Sequence, residues 1–217
     1  MIEVTAKKLT DVELLRRANS FTTRKESEMT LKKAYKLGHS PIRTQMFWVE
    51  IRNLPLYVAS QLVRAHVGIQ FFQLSKRPDR GGEDFIDVCE NLFSRLNAIE
   101  TDDYAAKDSI ATDIRGLPYR FDRFAPTDLA FICNAESLIN ISRERMCRKA
   151  SIHTQDVWRR VAIEIGKVDH DLFDFLVPSC VHTGLCREAK PCGFMLTDTY
   201  KKSRKKYKEM FNGNGNA

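Results

Sequence analysis

Apolar side chains recur at the spacing of one helical face in several stretches of the 217-residue chain. A cap at Thr10 or Asp11 begins the first of these helices, and Gly38 ends the second. Helices are predicted over residues 10–17, 24–37, 85–96, 101–114, 127–149 and 154–168. The run from Met46 to Ile51 is rich in β-forming residues and predicts a strand, whereas residues 116–126 are interpreted as a loop and residues 178–194 show little regular pattern.

The stretch 54–80 concentrates polar groups that are typical of a ligand site. A helix is predicted at its start, with Arg64 and His66 at the C-terminal end, and a short apolar strand follows. Ser75 and Arg77 then lie in a cationic loop. Because a planar guanidinium matches phosphate oxygens in pairs, this cluster predicts phosphate binding. A helix end whose cations offset the macrodipole explains Arg64 and His66 equally well.

The predicted helix over residues 127–149 carries Asn134, Asn140 and Arg145 among its apolar positions. Asparagine is a mediocre helix former, so two of them in an apolar helix indicate side-chain amides with specific partners. A helix-capping role, or a hydrogen bond within the core, would explain either asparagine. Arg145 alone is typical of a solvated helix face.

Composition is that of an ordinary soluble globular protein, with 43% hydrophobic and 29% charged residues, and no repeat or linker divides the chain. The net charge of +7 favours an anionic partner. Part of that charge lies in a lysine-rich C-terminal segment, which is interpreted as a solvated helix face with residues 212–217 frayed. Basic residues do not alternate with aromatic ones, which does not favour nucleic acid. No apolar run reaches the ~20 residues of a membrane span and no secretory signal is present, so we expect a cytoplasmic protein.

Six cysteines are expected to be reduced or metal-bound in that compartment. Cys180, Cys186 and Cys192 are evenly spaced, and His182, Cys147 or Cys133 could supply a fourth zinc ligand. The paired Cys-x-x-Cys knuckle is absent from this pattern. We therefore interpret the three cysteines as small hydrophobic side chains against the core, and zinc as the less favoured alternative.

Taken together, three segments resemble the flavin-dependent thymidylate synthases. The Gly-His-Ser-Pro turn at 38–41 stands at that family's distance before its signature. Gln-Leu-Val-Arg-Ala-His at 61–66 resembles the signature itself, in which Arg-His-Arg precedes a Ser and an Arg. Asn-Ala-Glu-Ser-Leu at 134–138 resembles the family's Asn-Ala-Arg-Ser-Leu, with matching spacing to a later Asn and Arg. The resemblance covers roughly residues 10–150.

The resemblance implies an α/β (α+β) fold with a central, mostly antiparallel sheet flanked by long helices. One domain would span residues 1–217, with 195–217 as a basic, partly frayed tail. The implied reaction makes dTMP from dUMP, with FAD as the hydride carrier, methylenetetrahydrofolate as one-carbon donor and NADPH as reductant. The implied assembly is a homotetramer whose active sites combine residues of several chains.

Position by position, the resemblance also assigns site residues. Flavin contacts fall on His39, Arg64, Ala65, His66, Asn134 and Asn140. Contacts to dUMP fall on Gln61, Ser75, Arg77 and Arg145, with Arg120 and Arg123 as alternative ligands of its phosphate. The residues assigned to catalysis are Arg64, His66 and Arg145.

The chain departs from the family pattern at several of these positions. Ala65 stands where the family has the signature His, and His66 where it has the second Arg. Thr44-Gln45 replaces a Glu-His pair, and Glu136 replaces the Arg of the third segment. Alanine offers neither a hydrogen bond nor a ring, so we expect impaired flavin binding. The overall pattern, including the cysteine-rich end, resembles compact phage or viral members more than bacterial enzymes, which implies the cytoplasm of a host.

Two other functions are compatible with this altered signature. One is flavin-dependent hydroxymethylation of dUMP for modified phage DNA. The other is a non-catalytic relative that binds a nucleotide or a nucleic acid.

Overall fold

An antiparallel sheet lies at the centre of the fold, and helices pack around it. The computed structural model describes residues 1–75, 82–99, 103–121 and 123–212. The strands are β1 (Glu3–Lys8), β2 (Met46–Pro55), β3 (Ile69–Gln73) and β4 (Pro126–Asn134). The helices are α1 (Val12–Thr23), α2 (Leu31–Leu37), α3 (Leu56–Leu62), α4 (Phe85–Asn97), α5 (Tyr104–Phe121), α6 (Ala135–Arg145), α7 (Ile152–Val168), α8 (His170–Phe173), α9 (Ser179–Thr183) and α10 (Asp198–Asn212).

Within the described residues the strands form one sheet in the order β1-β2-β4-β3, and every neighbouring pair is antiparallel. β4 is an inner strand, and Phe131 faces Val49 on one side and Phe71 on the other. Its side chains alternate between buried and half-buried positions, with Thr127, Leu129 and Phe131 among the buried ones. This period of two is that of a pleated strand.

The core lies between the sheet and α7. Trp158 of α7 stacks on Phe131 with ring centroids 6.1 Å apart, and both side chains are almost fully buried. The indole N–H donates to Ser142 Oγ of α6 at 2.9 Å, which satisfies a polar group that burial would otherwise penalise. Each such large side chain contributes about 1.5–3 kcal/mol through burial, so this layer holds α6 and α7 against the sheet.

The predicted α+β class with a central antiparallel sheet and surrounding helices is confirmed. The helix predicted over residues 127–149 is wrong in its first part, because residues up to Asn134 form β4 and the helix begins at Ala135. A short run of Leu, Ala, Phe and Ile is compatible with either structure, and pairing on both edges decides in favour of the strand. The loop predicted over 116–126 is also wrong, because α5 continues to Phe121.

Other boundaries shift by smaller amounts. The second helix begins at Leu31 with Thr30 as its cap rather than near residue 24, and the prediction that Gly38 ends it is confirmed. β1 was not predicted, although Ile2, Val4 and Ala6 alternate with polar residues and pack against the core.

The C-terminal segment is a helix as far as Asn212, with Tyr200 and Tyr207 buried in the core and the lysines exposed, as expected for the predicted solvated helix face. Residues 213–217 lie outside the described part of the chain. Among the described helices, none combines the length and apolar character needed to cross a bilayer.

Candidate active site

A cleft of about 1050 Å³ opens between the turn after α3, helix α6 and the segment 178–196. Arg64, Ala65 and His66 form part of one wall, and Asn140 and Arg145 of α6 form another. Arg64 and His66 are exposed, whereas Ala65 is half-buried and packs against the core. The volume is at the upper end of the range of about 300–1,000 Å³ for small-molecule and cofactor sites.

Helix α6 begins at Asn134, whose side chain caps it. Asn134 Oδ1 accepts from Ser137 N at 2.9 Å, and the Ser137 hydroxyl donates to the carbonyl of Val67 at 2.6 Å. The carbonyl of Gly68 accepts from Asn134 N at 3.1 Å. These bonds fix the turn that carries Arg64 and His66 against the start of α6. Asn134 therefore acts here as a capping residue and does not line the cleft.

Gly68 allows the turn at 64–68 to lie this close to the start of α6. Its φ is +68°, in the left-handed region, and a Cβ atom there would lie 2.4 Å from Ser137 Oγ and 2.5 Å from Asn134 Nδ2. Any larger residue would need both the strained backbone and a displaced α6 terminus.

Arg145 is the last residue of α6, and α3 holds it in place. Its Nη2 donates to the carbonyl of Gln61 at 2.9 Å. Its Nε is buried and makes no hydrogen bond within the described residues. The Gln61 side chain is turned towards α7, where its Oε1 accepts from Thr154 at 2.7 Å. Arg145 thus presents an unsatisfied donor in the cleft region, whereas the side-chain oxygen of Gln61 is already used in the hydrogen bond from Thr154.

Arg143, which the sequence did not single out as a ligand, also has a buried Nε donor that lacks a hydrogen-bond partner among the described residues. Its Nη1 donates to Asn140 Oδ1 at 3.0 Å, and its Nε is buried without a partner in the described chain. Burial lowers the pKa of the Arg143 guanidinium, and the nearby charge of Arg187 lowers it further. A buried donor of this kind is stabilised by an anion.

Positive charge dominates the lining of the cleft. Six cationic side chains face two carboxylates, those of Glu144 and Glu188. Arg148 lies over the ring of Phe194 at 4.3 Å and so connects the end of α6 to the opposite wall. The cations that line the cleft are Arg64, Arg143, Arg145, Arg148, Lys149 and Arg187. This excess suits a ligand with more than one negative charge.

Four further predicted ligands lie outside this cleft within one chain. His39 is exposed at the start of a 3-10 turn, and Ser75 is half-buried two residues after β3 ends. Arg120 is on α5 and pairs with Glu83, and the Arg123 guanidinium stacks on Phe124 at 5.0 Å. Arg77 lies outside the described residues.

Glu136, which stands where the family pattern has an Arg, forms an ion pair with Arg43. Arg43 Nε and Nη2 donate to the Glu136 carboxylate at 2.6 and 3.2 Å. The negative charge in the first turn of α6 is also favourable to the helix dipole.

Four cysteines also line the cleft, namely Cys147, Cys180, Cys186 and Cys192. Burial raises the pKa of Cys147 and of Cys180. Among the described residues, no three His, Cys, Asp or Glu side chains are arranged so as to hold a metal ion. The sequence identified three of these thiols as candidates and offered His182, Cys147 or Cys133 as a fourth; of these three, Cys147 lines the cleft.

The architecture is thus an α+β fold with an antiparallel sheet and a cationic cleft of cofactor size. Among solved structures, the fold is similar to Thymidylate Synthase X from Helicobacter pylori in complex with FAD and dUMP, with a TM-score of 0.54, 20% identity, and coverage of 81% of this chain and 99% of that one. It is also similar to a UMP/dUMP methylase, PolB, from Streptomyces cacaoi bound with 5-Br dUMP, with a TM-score of 0.51, 16% identity, and coverage of 81% and 94%.

Sequence similarity specifies the family. A flavin-dependent thymidylate synthase from Clostridium tetani is 30% identical to the chain, over 72% of this chain and 73% of that protein. The chain therefore belongs to the flavin-dependent thymidylate synthase family. No model of a known protein family matches it.

Proposed function

We propose that the protein catalyses the FAD-dependent methylation of dUMP to dTMP, with methylenetetrahydrofolate as one-carbon donor and NADPH as reductant. Family membership supports the reaction class. The observation that carries the proposal is the pair of buried arginine Nε atoms of Arg143 and Arg145, which have no hydrogen-bond partner among the described residues and belong to the same cleft as the Arg64–His66 turn.

The residues of the cleft fit a dinucleotide and a nucleotide phosphate. A pyrophosphate and a monophosphate together bring several negative charges, and the six cations against two carboxylates offset them. Arg145 is anchored to the Gln61 carbonyl through Nη2, so its Nε is preorganised for the dUMP phosphate. Arg64, His66 and Asn140 would hold the flavin along the same wall.

When bound, FAD carries the hydride, while the chain supplies binding, orientation and exclusion of water. Anchored arginines lose little conformational freedom on binding, which favours a single orientation of the nucleotide. The apolar lining contributed by Val67, Ile141 and Leu196 removes water from the ring systems.

The direct test is the product. Purified protein should absorb in the flavin region of the visible spectrum, oxidise NADPH only when dUMP is present, and yield dTMP by mass spectrometry. If the product is instead a 5-hydroxymethyl nucleotide, the reaction is hydroxymethylation of dUMP and not methylation. A colourless protein that binds dUMP without turnover would identify a non-catalytic relative.

Arg145→Ala tests the nucleotide ligand. Loss of one charge-assisted contact costs about 1.5–3 kcal/mol, so dUMP should bind about 10- to 100-fold more weakly by calorimetric titration. Arg17→Ala, an exposed position on α1, is the matched control and should leave the affinity unchanged. Equal dUMP affinity in a folded Arg145→Ala protein would refute the assignment.

A homotetramer is part of the proposal, because His39, Ser75, Arg120 and Arg123 lie outside the cleft of their own chain and would reach a site through a second copy. Apolar side chains of α4 support it, with exposed fractions of 52% for Phe85, 64% for Ile86 and 68% for Phe93. Such a patch marks an interaction surface.

Light scattering should therefore give a tetramer mass, and Phe93→Glu should dissociate it. Phe21→Glu changes an even more exposed ring on α1, at 92% against 68% for Phe93, and should not. A monomer at about 10 µM would contradict the assembly. Phage origin, the host cytoplasm, the single-domain organisation and impaired flavin binding at Ala65 stay predictions.

A further inference from the structure

The guanidinium of Arg143 has one group engaged and one edge without partners. Its Nη1 donates to Asn140 Oδ1 at 3.0 Å. Its buried Nε has no hydrogen-bond partner among the described residues, and Nη2 makes no hydrogen bond to them either. Because Nε and Nη2 lie on the same edge of the planar group, they form a fork that matches two oxygens of a phosphate. Arg143 therefore presents an intact pair of donors.

Arg145 differs from Arg143 in both its contacts and its direction. Its Nη2 already donates to the carbonyl of Gln61 at 2.9 Å, so half of the same edge is occupied. Successive residues of an α-helix are turned by about 100°, so two positions on α6 that are two residues apart lie about 200° apart around its axis. The side chain of Arg145 is held against α3, and Arg143 lies on the other side of α6. Both line the cleft, and they serve different parts of it.

The electrostatic surroundings of Arg143 favour an anion. No ion pair joins its guanidinium to a carboxylate within the described chain. Burial lowers its pKa, and the charge of Arg187 lowers it further. Glu136 acts in the opposite direction, but its carboxylate is engaged by Arg43 at 2.6 Å. An anion on the open edge of Arg143 would offset both the burial and the repulsion from Arg187.

Ser179 contributes another unpartnered group to the same cleft. It is the first residue of α9, which packs against α6, and its Oγ is buried without a hydrogen-bond partner in the described chain. Among the described residues, five buried side-chain atoms lack a partner, and three of them belong to cleft-lining residues, namely Arg143, Arg145 and Ser179. Such atoms are uncommon in folded proteins, so their concentration at one cleft indicates a ligand that satisfies them.

We propose that Arg143 binds a phosphate group of a dinucleotide through Nε and Nη2, at a subsite separate from the dUMP phosphate at Arg145, and that the Ser179 hydroxyl donates to the same ligand. This inference rests on the proposed function, which brings two dinucleotides, FAD and NADPH, to the cleft. Both contain a pyrophosphate, so the chemistry that the fork recognises is the same. The bond from Arg143 also fixes the amide of Asn140, a predicted flavin contact.

Binding titrations of single variants test the subsite. FAD and NADPH are titrated by fluorescence and dUMP by calorimetry. We expect Arg143→Gln to weaken at least one dinucleotide by about 10- to 100-fold and to leave dUMP within about twofold, whereas Arg145→Ala should do the reverse. A loss for FAD assigns the subsite to the flavin cofactor, and a loss for NADPH assigns it to the reductant. Arg159→Gln changes an exposed arginine of α7 outside the cleft and is the matched control.

Two further variants separate the fork from its charge. Arg143→Lys keeps the positive charge but has no planar pair of donors, so it should still bind the dinucleotide at least about fivefold more weakly than the unaltered protein. Ser179→Ala should weaken the same ligand by about 2- to 10-fold. Urea unfolding shows whether each variant is folded before its affinity is compared.

Three results would overturn the subsite: unchanged affinity for both dinucleotides in folded Arg143→Gln, an equal loss for dUMP, or full recovery in Arg143→Lys. In each of them the unaltered protein still binds FAD and dUMP, so the proposed function stands. Failure of the proposed function would appear in the unaltered protein itself, as absence of FAD and NADPH binding, and would overturn the subsite with it.

Discussion

Replacement of Gly68 by alanine tests how the turn at 64–68 is joined to α6. The left-handed backbone costs a non-glycine residue about 1–2 kcal/mol. The new Cβ would also lie 2.4 Å from Ser137 Oγ and 2.5 Å from Asn134 Nδ2, so the capping group must move. Loss of an N-cap costs about 0.5–2 kcal/mol. We expect Gly68→Ala to lower the free energy of unfolding by about 1.5–4 kcal/mol, which leaves most proteins folded.

Urea unfolding at constant pH measures this change, provided the slope with denaturant is unchanged. Gly116→Ala is the matched control, because Gly116 lies in α5 with open space around its Cβ position, and alanine there should add about 0.5–1 kcal/mol. The folded Gly68→Ala protein should also bind dUMP and flavin more weakly, since Arg64 and His66 lie on the displaced turn. A loss below about 0.5 kcal/mol, or equal effects at both glycines, would refute the reasoning.

Asp169 accepts from Lys8 Nζ at 2.6 Å and from Tyr35 Oη at 2.7 Å, and its side chain is 1% exposed, so Asp169→Ala should cost about 3–5 kcal/mol in urea unfolding. His182 is half-buried against Tyr207, and burial lowers its pKa in the folded state. The unfolded state therefore binds more protons below the ordinary value of about 6.5, and stability should fall as the pH drops through this range, less so in His182→Gln. Ala65→His should tighten FAD binding by about tenfold, because it restores one hydrogen-bonding ring, measured by flavin fluorescence titration.

Each of these three predictions has a result that would contradict it. Asp171→Ala removes a nearby carboxylate outside the Lys8 pair and should cost less than about 1 kcal/mol; an equal loss at both positions would contradict the buried network. An identical pH slope in wild type and His182→Gln would remove His182 as the cause. Unchanged FAD affinity in Ala65→His would mean that His66 already fills the role.

The sequence predicted the elements that local signals define. Gly38 at the end of α2, Asp11 at the start of α1 and the body of α7 follow from capping and helical periodicity. β4 could not be separated from the helix that follows it, because its apolar run is compatible with both and its identity comes from pairing with β2 and β3.

The position of the boundary between β4 and α6 changes the role assigned to Asn134. In a continuous helix its amide would need a partner elsewhere, whereas at the junction of β4 and α6 it caps the helix. The cleft residues Arg64, His66, Asn140 and Arg145 were all singled out from the sequence, and the structure brings them together, but their ligand roles stay predictions. Arg143 and Arg187 were missed, because an arginine in a charged run has no local mark of a place in a cleft. Arg143 is half-buried on α6, which packs against α9, and Arg187 is exposed on the cleft lining.

A net charge of +7 is compatible with either a nucleic acid or a small nucleotide ligand, and the distribution of the charge distinguishes between them. On α10, Lys201 pairs with Asp198 at 3.1 Å and Lys206 with Asp174 at 3.0 Å, so this basic face is partly neutralised by its own neighbours. In the cleft, six cations share two carboxylates, and no ion pair joins them to an acidic side chain within the described chain. A nucleic acid would need a continuous basic surface along its backbone. A concave site of about 1050 Å³ instead concentrates its field on a ligand that enters it, and that favours a nucleotide and a dinucleotide cofactor over an extended polymer.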